Sequence, residues 1–435
     1  MEAPFCRLKI WIASFLFGCM LLFLSSCANR VRIHKTSLEK HLNSSRFNTQ
    51  MTGLLVYNPE NKDTLVQYNA SQYFIPASNT KIFTLFTALS ILPEKMPLVK
   101  THLIGKDSLI LVPMGDPTPF HPFFKDSSLL RLMKPYAHIG LKTNRLKDQP
   151  YGPGWAWEDF DSYYAPERSA LPLYGNVLQV KFQDSTKLVN PVFFESKLFN
   201  KDPSQSFSRA AHQNLFYLSK DEKESDIPFK TSDSLTLQLL KALSRKNVFA
   251  YSKTLAEKGS MQYGISRDSV LKQMMKESDN FLAEQLLINT SAYLTDTLSI
   301  KPAQEFMASG PLQNLKQLPR WVDGSGLSRY NLMSPMSLVQ VLEKLYDNEG
   351  LEKLKLFFPW GGVNGTLENW FSGLSEPYIF AKTGSLGNTY CLSGYLLTKK
   401  GKTLIFSYMN NHFTKPSAAV KKEMQEVLEA IRDQN

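Results

Sequence analysis

Ser78-Asn79-Thr80-Lys81-Ile82-Phe83-Thr84-Leu85-Phe86-Thr87-Ala88-Leu89 is the stretch on which the reading of this chain turns. Ile82, Phe83, Leu85, Phe86 and Leu89 recur at a spacing of three to four, which predicts a helix starting at Ser78 with one apolar face buried under a sheet. Pro93 and Pro97 are expected to stop it. Just upstream, residues 52–58 and 64–69 read as two strands joined by the turn-forming residues 59–63. At the far end, residues 378–385, 390–398 and 403–410 read as strands, the last two joined by a Lys-Lys-Gly turn. An amphipathic helix over about 415–431 closes the chain. A helix and hairpin near one terminus that close onto strands near the other imply an α/β unit whose halves are distant in sequence.

The middle of the chain, 96–255, has a different texture. It holds short strand-like runs (109–114, 155–157, 176–182, 190–193), many Pro, Gly and aromatic residues, and little helical periodicity before Leu235. We read it as a β-rich insertion into the α/β unit. The catalytic unit is then 51–95 together with 256–435, and no repeat of 20–50 residues is evident.

Three short motifs lie along this framework: S-x-x-K at Ser78-Asn79-Thr80-Lys81, S-D-N at Ser278-Asp279-Asn280, and K-T-G at Lys382-Thr383-Gly384. The first is weak by itself, because the pattern also occurs at Ser37–Lys40 and Ser269–Lys272. Context separates the copies. Ser37 falls in a polar stretch, and Lys272 lies on a helix expected to run on towards Ser278. Ser78 stands at a helix start, where free N–H groups and the positive dipole end favour an oxyanion. Lys81, three residues on, shares its helix face. Ser278-Asp279-Asn280 is expected to project from a turn between helical runs 270–276 and 281–287. Lys382-Thr383-Gly384 is expected at a strand end, where Gly lets a ligand approach the backbone. Each motif alone also fits a cap or a solvated strand end, but their order around one core singles out an acyl-transfer site.

A serine hydroxyl is a poor nucleophile unless a neighbouring base takes its proton. Lysine can serve only when desolvation or a nearby cation lowers its pKa. In this reading Ser78 is the nucleophile, Lys81 the base and Lys382 the neighbouring cation. Ser278 relays the proton to the leaving amine, and Asn280 holds the substrate amide. The N–H groups of Ser78 and Ser385 cradle the oxyanion. Thr383 and Ser385, with Lys382 and the open backbone of Gly384, bind a terminal carboxylate. The chain has 7 His and no H-E-x-x-H, so the parts of a metal or Ser-His-Asp mechanism are missing; no cofactor or metal is expected.

The trio is one shared by class A β-lactamases and penicillin-binding proteins. Here it resembles the low-molecular-mass class C penicillin-binding proteins, D-alanyl-D-alanine carboxypeptidases and endopeptidases with a large inserted domain. The 200-residue separation of Ser78 and Ser278 favours this subgroup over β-lactamases. Further segments carry the resemblance: Gly115-Asp116-Pro117, residues 154–159 (Gly-Trp-Ala-Trp-Glu-Asp), Tyr164-Ala165-Pro166 with Ser169-Ala170-Leu171 and Asn176, residues 323–329, and Gly365-Thr366-Leu367. Val112-Pro113-Met114 departs from the Gly-rich run usual before Gly-Asp-Pro. The resemblance implies a β-lactamase/transpeptidase-like core, an antiparallel sheet flanked by helices. It also implies peptidoglycan stem peptides as substrates, and β-lactams as covalent inhibitors on Ser78. Finally, it implies an acidic residue from the insert, with Asp159 the candidate and Glu158 next, that meets the free amino group of a diaminopimelate-like side chain. Two alternatives share the same residues: a β-lactamase or esterase, and a non-catalytic lipoprotein that binds wall peptides.

The N-terminus places this chemistry outside the cytoplasm. Arg7 and Lys9 precede fifteen uncharged residues, 10–24, whose last, Leu24, opens the sequence Leu24-Ser25-Ser26-Cys27. That run is short of the about 20 residues a bilayer span needs and fits a signal-peptide core. The ending resembles a lipobox, which makes 1–26 a signal peptide, Cys27 a lipidation site and 27–50 a tether, with the body periplasmic and lipid-anchored. Of the four cysteines only Cys391 then remains in the body, where it reads as a buried small hydrophobe. Composition is ordinary for a globular chain, with 43% hydrophobic and 20% charged residues. The net charge of +11 is scattered and forms no basic stripe with interleaved aromatics, so no nucleic-acid partner is expected.

Overall fold

The computed structural model describes residues 49–183, 186–219, 221–255, 259–372 and 376–435. The expected signal peptide, Cys27 and nearly all of the tether lie outside the described residues.

The chain opens with the hairpin β1 (Met51–Asn58) and β2 (Asp63–Tyr68), a 3-10 turn over Ala77–Thr80, and helix α1 (Lys81–Ile91). Next come β3 (Lys95–Ile104), β4 (Ser108–Pro113), helix α2 (Ser128–Met133) and β5 (His138–Lys142). Short strands β6 (Val177–Gln183), β7 (Thr186–Asn190), β8 (Leu198–Asn200), β9 (Phe216–Leu218) and β10 (Glu224–Pro228) precede helix α3 (Asp233–Ser244), β11 (Asn247–Tyr251) and β12 (Ser260–Ser266). Helices α4 (Arg267–Lys276), α5 (Asn280–Thr295), α6 (Lys301–Ser309), α7 (Pro335–Glu349) and α8 (Leu351–Phe357) follow. Strands β13 (Ile379–Leu386), β14 (Thr389–Leu397) and β15 (Thr403–Asn411) then lead to helix α9 (Ser417–Gln434).

The two ends of the chain meet in one five-stranded antiparallel sheet of order β13-β14-β15-β1-β2, in which Leu55 stands opposite Ser407. Alternation along β1 decides its two sides. Leu54 and Val56 pack with Phe406, Val420, Val427 and Leu428, the last three from α9. Leu55 faces the opposite way, into a larger core with Phe83, Leu286, Leu342 and Ile405 from α1, α5, α7 and β15. This is the expected α/β core, an antiparallel sheet flanked by helices.

Helix α1 goes further than its periodicity implies: every residue from Lys81 to Ala88 is buried, not one face only. The threonines tolerate this because their hydroxyls are satisfied. Thr84 Oγ1 donates to Gly324 O at 2.7 Å and Thr87 Oγ1 to Phe83 O at 2.7 Å. Helix α5 is likewise buried continuously from Phe281 to Ala292, with Glu284, Gln285 and Asn289 inside it. The S-D-N motif lies at the expected turn between two helical runs, α4 and α5. Ser278 takes a left-handed φ of 59°, and Asp279 Oδ1 accepts the Leu282 N–H at 2.9 Å, starting a new helix.

The middle of the chain forms a second five-stranded sheet, β11-β5-β4-β3-β12, a three-stranded sheet, β10-β6-β7, and the pair β8-β9. These surround their own core, which includes Leu111, Ile139, Leu178, Phe194 and Phe216. The sheet takes in β12, beyond residue 255, because Ser260–Ser266 pairs with β3. Pro97 sits inside β3 rather than ending α1, and Pro113 continues β4, where Val112 and Pro113 pair with Lys100 and Val99. Residues 155–157 are not a strand; a 3-10 turn runs over Trp157–Asp159. Likewise β7 ends at Asn190, and Val192–Lys197 is a 3-10 helix.

Candidate active site

Ser78 follows a sharp bend in the chain. Ala77 has a φ of 47°, an uncommon conformation for a residue with a Cβ and worth roughly 1–3 kcal/mol of local strain. The bend starts the 3-10 turn and presents Ser78 to a cleft of about 920 Å³. Two glycines let other backbones close on this turn. A Cβ on Gly384 of β13 would lie 2.5 Å from Pro76 O, and one on Gly326 would lie 1.9 Å from Ala77 O. Neither position has room for any other residue. Asn79 completes the join: its Nδ2 donates to Lys382 O at 2.8 Å and its Oδ1 accepts from Ser393 Oγ at 2.6 Å.

All three motifs converge here. Lys81 Nζ lies 3.0 Å from Ser78 Oγ, 2.5 Å from Asn280 Oδ1 and 2.7 Å from Ser325 O. Lys382 Nζ donates to Ser278 Oγ at 2.9 Å and to Thr383 O at 2.8 Å. Asn280 Nδ2 donates to Tyr164 O at 2.9 Å, tying the S-D-N motif to the insert. Thr383 Oγ1 donates to Thr366 Oγ1 at 2.7 Å, which places the Gly365-Thr366-Leu367 segment against β13. Thr383 and Ser385 line the cleft with Ser78, Ser278 and Asn280.

Both lysines are fully buried. Burial brings Lys81 down to about 8, while Asp279, Asp323 and Glu284 pull it the other way. Lys382 is pushed well below the usual lysine range by burial first and by the Lys81 charge second. Desolvation is the largest cause for both lysines, and the two ammonium charges repel each other as a pair.

A layer behind these residues escaped the motif reading. Buried Glu284 accepts Gly324 N–H at 2.9 Å and Ser325 N–H at 2.7 Å through Oε1, and Arg168 at 2.6 Å through Oε2. Asp323 accepts Gly326 N–H at 2.9 Å, Ser328 N–H at 2.6 Å and the Trp155 indole at 2.9 Å. Together they fix the 324–326 backbone, and with it the Ser325 carbonyl that holds Lys81. The available sequence signal was a Glu inside an otherwise buried helix, four residues after Asn280. The segments quoted for their resemblance meet at this junction too. Gly115 N–H donates to Ala170 O at 3.1 Å, and Asn176 Nδ2 donates to Ser169 Oγ at 2.9 Å.

Asp159 lines the cleft from the Trp157–Asp159 turn, and its Oδ1 accepts from the Tyr164 hydroxyl at 2.8 Å. Cys391 is buried opposite Gly384 in the sheet, with its Sγ 3.5 Å from Ile75 O. Among the described residues no group of three or more His, Cys, Asp or Glu is placed to hold a metal ion. No helix there is long and apolar enough to cross a membrane.

The chain is 24% identical over 421 residues to D-alanyl-D-alanine carboxypeptidase DacB of Haemophilus influenzae, covering 83% of this chain and 86% of that protein. The fold matches the crystal structure of penicillin binding protein 4 from Haemophilus influenzae with a TM-score of 0.68 at 22% identity, over 88% of this chain and 95% of the other. The Haemophilus protein has also been solved in complex with a β-lactam. A predatory peptidoglycan endopeptidase from Bdellovibrio bacteriovorus shares the fold at a TM-score of 0.51 and 15% identity, over 88% and 92% of the two chains. The model of the D-Ala-D-Ala carboxypeptidase 3 (S13) family matches residues 34–213 and 234–434. The chain belongs to the D-Ala-D-Ala carboxypeptidase 3 (S13) family of serine carboxypeptidases.

Proposed function

We propose that Ser78 carries an acyl-enzyme in the cleavage of D-Ala-D-Ala termini and D-alanyl crosslinks of peptidoglycan. The observation that supports it most is the contact of Lys81 Nζ with Ser78 Oγ at 3.0 Å, on a lysine whose burial brings it to about 8. Ser78 Oγ attacks the carbonyl carbon of the penultimate D-Ala while Lys81 takes its proton. The resulting oxyanion sits between the N–H groups of Ser78 and Ser385, each donor worth about 3–4 kcal/mol. As the C–N bond breaks, Ser278 passes a proton to the leaving amine, and the Lys382 contact at 2.9 Å supports that relay. Water then hydrolyses the ester and releases Ser78.

Thr383, Ser385 and Lys382 bind the terminal carboxylate. Asn280 holds the acyl-side amide, and Gly384 brings the strand close enough to Ser78 for both contacts. Asp159 is assigned the amino group of a diaminopimelate-like side chain, supported by its place on the cleft wall. β-Lactams acylate Ser78 in the same pose. The catalytic body is built from both ends of the chain, 51–95 and 256–435, and the segment 96–255 supplies the wall that carries Asp159, as in the class C group.

The decisive experiment is digestion of defined uncrosslinked pentapeptide and crosslinked dimer muropeptides by the purified protein. Release of one D-Ala from the first, or conversion of the second to monomers, is expected. Neither product appearing would sink the assignment. Because Lys81 works only when neutral, the rate of penicillin acylation is expected to climb with pH through about 8; a flat profile from pH 6 to 9.5 would remove Lys81 as the base.

Cys27 is assigned as the lipid-bearing residue of a periplasmic lipoprotein, supported by the Leu-Ser-Ser-Cys sequence that ends the apolar run. Cys27→Ser is expected to move the protein from the membrane pellet to the soluble fraction. A variant that stays with the pellet after a salt wash would point to an uncleaved anchor.

A further inference from the structure

The insert-side wall of the cleft carries a histidine that the proposed chemistry does not use. His121 is 8% exposed and packs against Phe124 at 5.0 Å and Phe281 at 6.2 Å between ring centroids. Its Nδ1 accepts the Phe123 backbone N–H at 3.2 Å. That bond sets the tautomer, because a neutral imidazole with Nδ1 as acceptor carries its proton on Nε2. Burial keeps the ring below its ordinary pKa, with Asp279 opposing, so the neutral form is favoured.

Nε2 meets no hydrogen-bond partner among the described residues, while the ring lines the same cleft as Ser78 and Asn280. The neighbouring residue keeps that edge open. Gly175, left-handed at a φ of 64°, also lines the cleft, and a Cβ there would lie 3.2 Å from Nε2 and 3.0 Å from Cδ2. An N–H donor that no protein acceptor meets, on a ring that lines the cleft, is open to a ligand oxygen.

We propose that His121 Nε2–H positions the acyl-side stem peptide by donating to one of its carbonyl or carboxylate oxygens, upstream of the D-Ala pair. The placement follows from Phe281, which stacks on His121 and directly follows Asn280. Tyr164 O, bound to Asn280, and Asp159 stand on the same insert side. This inference rests on the reading of Asn280 as the acyl-side anchor. His121 is a positioning residue and takes no proton from the reacting atoms.

The test compares a short acyl-D-Ala-D-Ala peptide with the full pentapeptide stem, alongside the rate of penicillin acylation. His121→Phe preserves the aromatic packing and removes the donor. It is expected to raise KM for the pentapeptide about tenfold with kcat within about twofold, as loss of one hydrogen bond should. The short peptide and penicillin should react as before. His121→Gln, whose amide N–H reaches the place of Nε2, is expected to restore KM. Repeating the comparison with a stem whose free carboxylate is amidated separates the two acceptors: loss of the His121 effect there marks the carboxylate, its persistence a carbonyl.

An unchanged KM for the pentapeptide would overturn the proposal. So would equal losses on the short peptide and penicillin, which would make His121 a packing residue. Absence of penicillin acylation in the unsubstituted protein would instead sink the reading of Ser78. Binding of the pentapeptide to His121→Phe and to the unsubstituted protein, measured by calorimetry, would then decide the role of His121 directly.

Discussion

Ser78→Ala is expected to abolish covalent labelling by penicillin and to stop release of D-Ala, while the thermal transition stays within a few degrees of the parent. The Ser78 hydroxyl faces the cleft with a buried amine at 3.0 Å and a helix start beneath it. Its removal takes away the bond-forming atom, so no acyl adduct can accumulate. The stability cost is that of one hydrogen bond, about 0.5–1.5 kcal/mol, partly offset because Lys81 keeps its contacts with Asn280 and Ser325. Intact-protein mass spectrometry with and without penicillin reads the first outcome and a melting curve the second. A penicillin-sized mass increase on the Ala variant would sink the nucleophile assignment.

Lys81→Met should lower the rate of Ser78 acylation by about 10²–10⁴, the usual range for loss of a positioned base. Methionine matches the length and volume of the buried stem without the amine. The substitution carries a second consequence. The Lys81 charge is one cause of the low Lys382 pKa, so its removal should let Lys382 hold its proton to higher pH. The residual acylation of the variant is therefore expected to lose the ascending limb near 8. If an ascending limb persists but moves to higher pH, the base is Lys382 working through Ser278, and the roles of the two lysines exchange. Stopped-flow acylation over a range of pH distinguishes these outcomes.

Some of this site was written in local chemistry. The three motifs were legible because each proposed role calls for one residue type: an attacking hydroxyl, an amine three residues along the helix, an amide, a cation on a strand. The strands at each end of the chain were legible from alternation, with boundaries displaced by at most one residue. Other features were not. The all-round burial of α1 depends on Thr84 finding the Gly324 carbonyl, a partner 240 positions away in sequence. The segment 155–157 looked like a strand because aromatic residues favour strands. Gly154 at a positive φ and the pairing of Trp155 with Asp323 make it a turn instead. Pro97 resembled a helix stop, yet a strand accepts proline wherever its missing N–H leaves the ladder intact.

The sequence by itself determined the three motifs, their order and the α/β class, because motif spacing and side-chain periodicity are local properties. Tertiary structure alone decided how those groups are tuned and held. Burial and the charges of Asp279, Asp323 and Glu284 set the Lys81 pKa. Close approach at Gly326 and Gly384 holds the Ser78 turn between two distant segments. A neutral histidine on the inserted wall, with no motif to announce it, faces the cleft. These are consequences of dielectric, contact distance and hydrogen-bond satisfaction, which exist only once residues far apart in the chain have packed together.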